Sequence, residues 1–167
     1  YLATLFLDDI ADVFRIVVDE RFKLSCYAEK LSASAPSFDL IHNAVQNDYS
    51  LIDSYIDKIT DDLLAEHEPD VIGMSAPFPG NVYGAFRMAK RIREVSASTK
   101  LILGGGFVNT ELRELSDPRV FEYFDCLPFD DGESPLLSIL EVIRGTQPPD
   151  HLLRTKVLQH GVVKWMS

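Results

Sequence analysis

Residues 100–111 read KLILGGGFVNTE, and this stretch decides the fold. Leu101 to Leu103 are branched and apolar, which predicts a short strand that is buried on both faces, as in a parallel sheet. The strand runs into Gly104 to Gly106, where the missing Cβ atoms allow a sharp turn and the close approach of another group. A helix is then predicted to begin at Asn109 or Thr110. Since ligands of open α/β sheets bind at the carboxyl ends of the strands, this loop is the first candidate site.

Composition limits the classes of function. The 167 residues suffice for one domain with a substantial core, and 46% of them are apolar. The formal charge of −10 argues against nucleic acid or an anionic membrane as the main partner. No apolar run approaches the ~20 residues that span a bilayer. Two cysteines, Cys26 and Cys126, predict neither a disulfide framework nor a metal cluster, and a reduced, cytoplasmic setting is expected.

Helical and strand patterns alternate along the rest of the chain. Helices are predicted over residues 2–18 (with one buried stripe), 38–45, 48–67, 82–95, 109–115 and 134–144, and strands over 22–28, 71–75 and 125–129. Pro128 places the last of these strands at a sheet edge, and residues 156–158 and 162–165 predict a terminal hairpin. This alternation predicts a Rossmann-like, doubly wound, mainly parallel α/β sheet flanked by helices, with a small C-terminal β-hairpin.

Three of the predicted strands end in loops with unusual backbone chemistry: SAPFPGN from Ser75, GGGFVNTE from Gly104, and DDGESP from Asp130. The topology should bring these loops to one edge of the sheet. Few charges other than carboxylates occur there, which suits a broad, partly apolar ligand that is approached by backbone. The candidate binding residues are Ser75, Ala76, Pro77, Phe78, Gly104, Gly105, Gly106, Phe107, Asn109, Asp131, Gly132 and Glu133.

Other readings of the same loops stay open. The spacing Gly104-x-Gly106-x-x-Asn109 is that of a dinucleotide-binding fingerprint without its last glycine, and no acidic ribose partner is evident. Asp130, Asp131 and Glu133 suit general acid–base work or Mg²⁺, but acids before a helix N-terminus also stabilise the helix dipole. The sequence contains no mononucleotide phosphate loop and no GxSxG elbow.

The run from Pro69 to Gly145 resembles the cobalamin-binding domain at the amino end of many radical S-adenosylmethionine proteins. In that family one strand ends in a Ser/Thr loop, the next in a Gly-Gly loop, and a later one in a Gly-Glu step that opens a helix. Ser75, Gly104 to Gly106, and Gly132 with Glu133 match these positions. The resemblance implies that the three loops hold the corrinoid ring and its nucleotide tail, with Ser75 on the tail and Glu133 orienting its loop.

The sequence departs from the family pattern in two ways. It has no DxHxxG motif, so the resemblance implies no histidine ligand to cobalt. It also lacks the CxxxCxxC motif whose thiolates hold a 4Fe–4S cluster. The cluster and S-adenosylmethionine are therefore expected only in a separate radical domain of the same polypeptide, and no catalytic residue is assigned to this chain. The family also implies a strand before the first helix, which suggests a fragment.

These observations predict a cobalamin-binding-type domain over residues 1–148 and a linker with a hairpin over 149–167 that leads to the radical domain. The expected partners are the corrinoid and that domain. An alternative is a corrinoid-free descendant of the fold, which acts as a docking or substrate-positioning module. A third reading, a stand-alone enzyme that uses NAD or FAD, predicts thermal stabilisation by those nucleotides.

Overall fold

The computed structural model describes residues 2–20, 22 and 37–167. The strand predicted over 22–28 therefore lies almost wholly outside the described residues. The helices are α1 (Leu2–Val17), α2 (Asp39–Asn47), α3 (Leu51–His67), α4 (Pro79–Val95), α5 (Gly106–Thr110) and α6 (Glu133–Ile143), with 3₁₀ turns at Pro118–Glu122 and Pro149–His151. The strands are β1 (Val71–Ser75), β2 (Lys100–Gly104), β3 (Leu127–Pro128), β4 (Thr155–Gln159) and β5 (Val162–Met166).

The strands form a two-stranded sheet, in the order β1–β2, and a three-stranded sheet, in the order β3–β4–β5. β1 and β2 are parallel, with Val71 opposite Lys100 and Ser75 opposite Gly104. A parallel bridge between Ile102 and Cys126 joins β2 to the start of β3. β3, β4 and β5 continue as antiparallel neighbours, and β4 and β5 are the predicted C-terminal hairpin. The fold is thus mixed α/β, with a small parallel part and an antiparallel part.

The prediction that β3 lies at a sheet edge is confirmed for the three-stranded sheet, whose order is β3–β4–β5, although Cys126 just before β3 bridges to Ile102 of β2. Pro128 is tolerated because its neighbours make the hydrogen bonds. Leu103 N donates to the carbonyl of Cys126 at 3.1 Å, and Phe129 N donates to the carbonyl of Arg154 at 2.9 Å. The ladder therefore needs no N–H from the proline.

Alternate residues of β2 face two different apolar cores. Leu101 and Leu103 belong to the larger core, which contains Phe86 of α4 and Ile41 of α2. Ile102 belongs to a smaller core with Ile139 of α6. Because successive side chains of a strand point to opposite faces, helices cover both faces of β2. Among the described helices, none combines the length and the apolar character needed to cross a bilayer.

A row of polar side chains joins α3 to α4. The Tyr83 hydroxyl donates to Asp53 at 2.8 Å, and Asp53 is fully buried. Arg87 Nε donates to Asp57 at 2.9 Å, and Arg91 makes two hydrogen bonds of 2.8 Å to Asp61. The three aspartates are four residues apart and therefore share one helix face. This face is turned toward α4, and it sets the rotation of α3 about its own axis.

Candidate functional site

The loops after β1 and β2 are joined through their backbones. Ala76 N donates to the carbonyl of Gly104 at 2.8 Å, and Phe107 N donates to the carbonyl of Ala76 at 3.0 Å. Ala76 is completely buried by this contact. Two of the three predicted loops therefore meet at the carboxyl ends of β1 and β2.

Two of the three consecutive glycines make this loop contact possible. Gly105 has a φ of +103°, and a Cβ atom on it would lie 2.8 Å from the carbonyl carbon and oxygen of Ala76. A Cβ atom on Gly106 would lie 2.8 Å from the carbonyl oxygen of Pro77. Separations this short are far inside van der Waals contact. The space beside both glycines is thus occupied by the protein's own backbone.

The third loop is attached to α5 by Asn109. Its Oδ1 accepts from Asp130 N at 2.6 Å, and its Nδ2 donates to the carbonyl of Asp130 at 3.2 Å. This holds Asp130 in the left-handed region, at a φ of 65°. The glycine loop and the Asp-Gly-Glu turn are therefore neighbours at one edge of the molecule. Below, "the shelf" means residues 75–78, 104–109 and 130–133.

Exposure divides the predicted residues into three groups. Ala76 and Phe107 are buried, and Phe107, at 4% exposed, belongs to the core rather than to the exposed surface of the shelf. Four residues are half-buried: Gly104, Gly105, Asn109 and Gly132. The exposed ones are Ser75, Pro77, Phe78, Gly106, Asp131 and Glu133, with Phe78 at 69% exposed. The open part of the shelf therefore presents a serine hydroxyl, backbone groups, two carboxylates and one exposed aromatic ring.

Two arginines that sequence reasoning missed lie against the acidic turn. Arg113 makes an ion pair with Asp130, and its guanidinium stacks 5.2 Å from the centre of the Phe129 ring. Arg154 donates to Asp131 at 3.0 Å. One signal was available, since Arg113 follows Asn109 by four residues and helical spacing would place the two on one face. Arg154 comes from the segment before β4, and nothing local in the sequence connects it to Asp131.

Groups suited to acid–base or nucleophilic chemistry are engaged in structural roles near the shelf. Burial raises the pKa of the Cys126 thiol to about 12, so this thiol is not a ready nucleophile. Burial lowers the pKa of Lys156, whose ammonium donates to the carbonyls of Leu112 and Leu115 at 3.1 and 2.9 Å. Within the described part of the chain, no group of three or more His, Cys, Asp or Glu side chains has the arrangement of a metal site.

An open groove of about 780 Å³ lies beside the shelf, between the start of α2 and residues 107–119. Its floor is apolar and includes Phe38, Ile41, Phe107, Leu112 and Leu115. Four carboxylates and one cation border it: Asp39, Glu111, Glu114, Asp117 and Arg119. Arg119 pairs with Asp39 and Asp117, each at 2.6 Å.

The chain matches no protein-family model, no curated protein and no solved structure with which it was compared.

Proposed function

We propose that this chain is a cobalamin-binding-type module of a radical S-adenosylmethionine protein, in which the shelf carries a corrinoid for a catalytic domain elsewhere in the polypeptide. The observation that carries the proposal is the meeting of all three loops at one edge, through Ala76, Gly105 and the Asn109–Asp130 contact. We take the fold to be the corresponding Rossmann-like, doubly wound sheet. In its support, helices cover both faces of β2.

The fit of a corrinoid was tested on the space around the glycines. Gly105 and Gly106 offer no crevice to a ligand, since Ala76 and Pro77 fill the space beside them. Gly132 differs, because a Cβ atom built there meets nothing within 4 Å. The Phe78 ring and the Ser75 hydroxyl are also free to contact a flat ligand. The residues thus suit a macrocycle that lies on the shelf, rather than one inserted between its loops.

Each exposed residue has a defined part in this proposal. Phe78 gives an apolar surface for one side of the ring, and Ser75 offers a hydroxyl to the nucleotide tail. The backbone around Gly132 permits close approach, while Glu133 lies in the first turn of α6, where its charge complements the helix dipole. When bound, a corrinoid supplies a redox-active cobalt centre. The chain contributes binding and orientation and no catalytic group of its own.

The test is co-elution of cobalamin with the protein. The chain is mixed with hydroxocobalamin and passed through a gel-filtration column, and the visible spectrum of the protein peak is recorded. We expect corrinoid absorbance in that peak, and its loss in Ser75→Trp, which places a large ring on the shelf. The matched control is Ser98→Trp, because Ser98 is also exposed but precedes β2 at the opposite end of the strands. A colourless wild-type peak contradicts the proposal.

A second function, a corrinoid-free docking or substrate-positioning module, is favoured by the groove beside the shelf. Its border carries more negative than positive charge, and of its apolar floor residues Leu115 is partly exposed whereas the other four are buried. Such a groove suits a peptide with alternating basic and apolar side chains. Fluorescence anisotropy with a labelled lysine–leucine peptide tests this function. Glu111→Lys should weaken binding at least about tenfold, whereas Glu141→Lys on the distant helix α6 should not.

A further inference from the structure

Helix α1 carries an apolar row that the described residues leave largely exposed, although the Phe14 ring at its end stacks on Phe22 at 5.0 Å. The prediction of a buried stripe on this helix is wrong, because none of the residues of α1 is buried. Leu2, Phe6, Ile10 and Phe14 follow one another at a spacing of four residues and therefore share a face. Leu2 is 81% exposed and Phe6 is 65% exposed. An isolated helix of this length is only marginally stable in water, so the row needs a surface on which to pack.

Helix α3 carries a second uncovered row, with the same spacing. Leu51, Tyr55, Ile59 and Leu63 are between 43% and 58% exposed. Together with Leu64, these residues are the apolar stripe of the sequence pattern, which would ordinarily face a core. Leu64 does pack against the larger core, whereas the other four are exposed. The hydrogen bonds of Asp53, Asp57 and Asp61 to α4 turn the polar face inward instead. The rotation of α3 is thus fixed with its apolar row outward.

The two rows match each other in geometry and in charge. Each is a ridge of four apolar side chains at spacing i+4, and interdigitation of two such ridges is the commonest class of helix packing. Each row has one charged residue near its centre, and these two charges are of opposite sign. Asp9 precedes Ile10 in the α1 row, and Lys58 precedes Ile59 in the α3 row. Among the described residues Lys58 pairs with Asp62 on its own exposed surface, a weak interaction that can be exchanged.

We propose that α1 of one copy packs on the outward row of α3 of a second copy, and that the chain forms a symmetric dimer through two such contacts. In a single chain the described residues leave most side chains of both rows exposed. A second copy offers both an α1 row and an α3 row. In a dimer with a twofold axis, each α1 row packs on the α3 row of the other copy, so all four rows are covered. Asp9 of each copy then lies near Lys58 of the other.

Sedimentation velocity of the whole chain in about 0.15 M salt, where screening weakens the repulsion between acidic molecules, tests the dimer. We expect a dimer whose dissociation constant rises at least about tenfold in Phe6→Glu and in Ile59→Glu. Leu137→Glu is the matched control, since Leu137 is an apolar residue of α6 that is 63% exposed and belongs to neither row. Circular dichroism checks that each variant keeps its helix content.

Mixing the variants separates this contact from other dimers. A Phe6→Glu chain keeps an unaltered α3 row, and an Ile59→Glu chain keeps an unaltered α1 row. One unaltered contact can therefore form in the mixed dimer, and none can form in the dimer of either variant alone. The equimolar mixture should associate more strongly than either variant alone. Likewise, Asp9→Lys and Lys58→Asp should each weaken the dimer, and the double variant should restore it. The proposal is overturned if the wild-type chain is a monomer, whether its rows are covered internally or by a different protein. It is also overturned if the mixture associates no more strongly than either variant alone.

Discussion

The side-chain amide of Asn109 bonds to both backbone groups of Asp130, accepting from its N–H at 2.6 Å and donating to its carbonyl at 3.2 Å. These two residues are 21 positions apart in sequence, and they join the helix after the glycine loop to the acidic turn before α6. The relative position of two of the three shelf loops therefore depends on this amide together with the ion pair of Arg113 and Asp130.

Replacing Asn109 with leucine should loosen the acidic turn. Both backbone groups of Asp130 lose their partner, and since the site is half-buried we expect a loss of about 1–2 kcal/mol in the free energy of unfolding. Urea denaturation measures it. Glu111→Ala is the control, because among the described residues the Glu111 side chain makes no hydrogen bond or ion pair, and its effect should stay within about 0.5 kcal/mol. Equal effects of the two substitutions would contradict this role of Asn109.

Gly105 and Gly132 should respond differently to alanine. Both have positive φ values, +103° and +82°, so each substitution strains the backbone by about 1–2 kcal/mol. Only at Gly105 does the new Cβ also meet backbone, 2.8 Å from Ala76. Backbone cannot swing aside as a flexible side chain can, so Gly105→Ala should be the more destabilising by at least about 2 kcal/mol. Thermal unfolding of the two variants makes the comparison, and similar midpoints would contradict the loop contact.

The sequence predicted the strands of the parallel part well because their signal is local. Both are short apolar runs. The strand Val71–Ser75 has the predicted bounds, and the strand predicted over 101–103 extends by one residue at each end, to Lys100–Gly104. The convergence of the three loops also followed from topology alone. The structure begins α4 at Pro79, three residues before the predicted start at residue 82, because proline is well suited to the first turn of a helix.

What the sequence could not predict depends on residues far apart in the chain. The occupation of the glycine space by Ala76 and Pro77 is a contact between two loops, and no pattern within either loop encodes it. The rotation of α3 is a similar case. An apolar stripe ordinarily faces the core, and only the pairing of Asp57 with Arg87, 30 residues later, reverses that preference. The contact of Arg154 with Asp131 is also set by the tertiary fold, because the two residues are far apart in sequence.

Asp125 should make folding stability sensitive to acid. Burial alone would raise the pKa of its carboxyl, but hydrogen bonds from Arg93 and from Leu101 N outweigh this effect and leave the pKa below its usual value. A carboxyl with a lowered pKa in the folded state stabilises that state above its unfolded pKa of about 3.9, and the contribution disappears as pH falls through the folded pKa.

The test for Asp125 is urea denaturation of wild type and Asp125→Asn between pH 7 and pH 2. At pH 7 the variant should be less stable by about 1.5–3 kcal/mol, the range for hydrogen bonds to a charged group. The difference should shrink as pH falls below about 4, since the wild-type carboxyl then takes up its proton. A difference that stays constant across this range would show that the charge of Asp125 does not contribute.

The Asp57–Arg87 and Asp61–Arg91 pairs join the same two helices and should differ in strength because they differ in burial. The side chains of Arg87 and Asp57 are 5% and 14% exposed, whereas those of Arg91 and Asp61 are 30% and 41% exposed. Arg87→Met leaves a carboxylate with little access to water, so we expect a loss of about 3–5 kcal/mol. Arg91→Met should cost about 1 kcal/mol or less, because water solvates the remaining Asp61.

A double-mutant cycle then separates the attraction within the buried pair from the cost of leaving one charge unpaired. Asp57→Leu combined with Arg87→Met removes both charges and should recover most of the loss, because apolar side chains of similar size can fill the same space. The combination also removes the central polar contact that sets the rotation of α3. Because the two apolar side chains occupy the same inward positions, the rotation of α3 should be kept. A double variant as unstable as Arg87→Met alone would contradict this account of the pair.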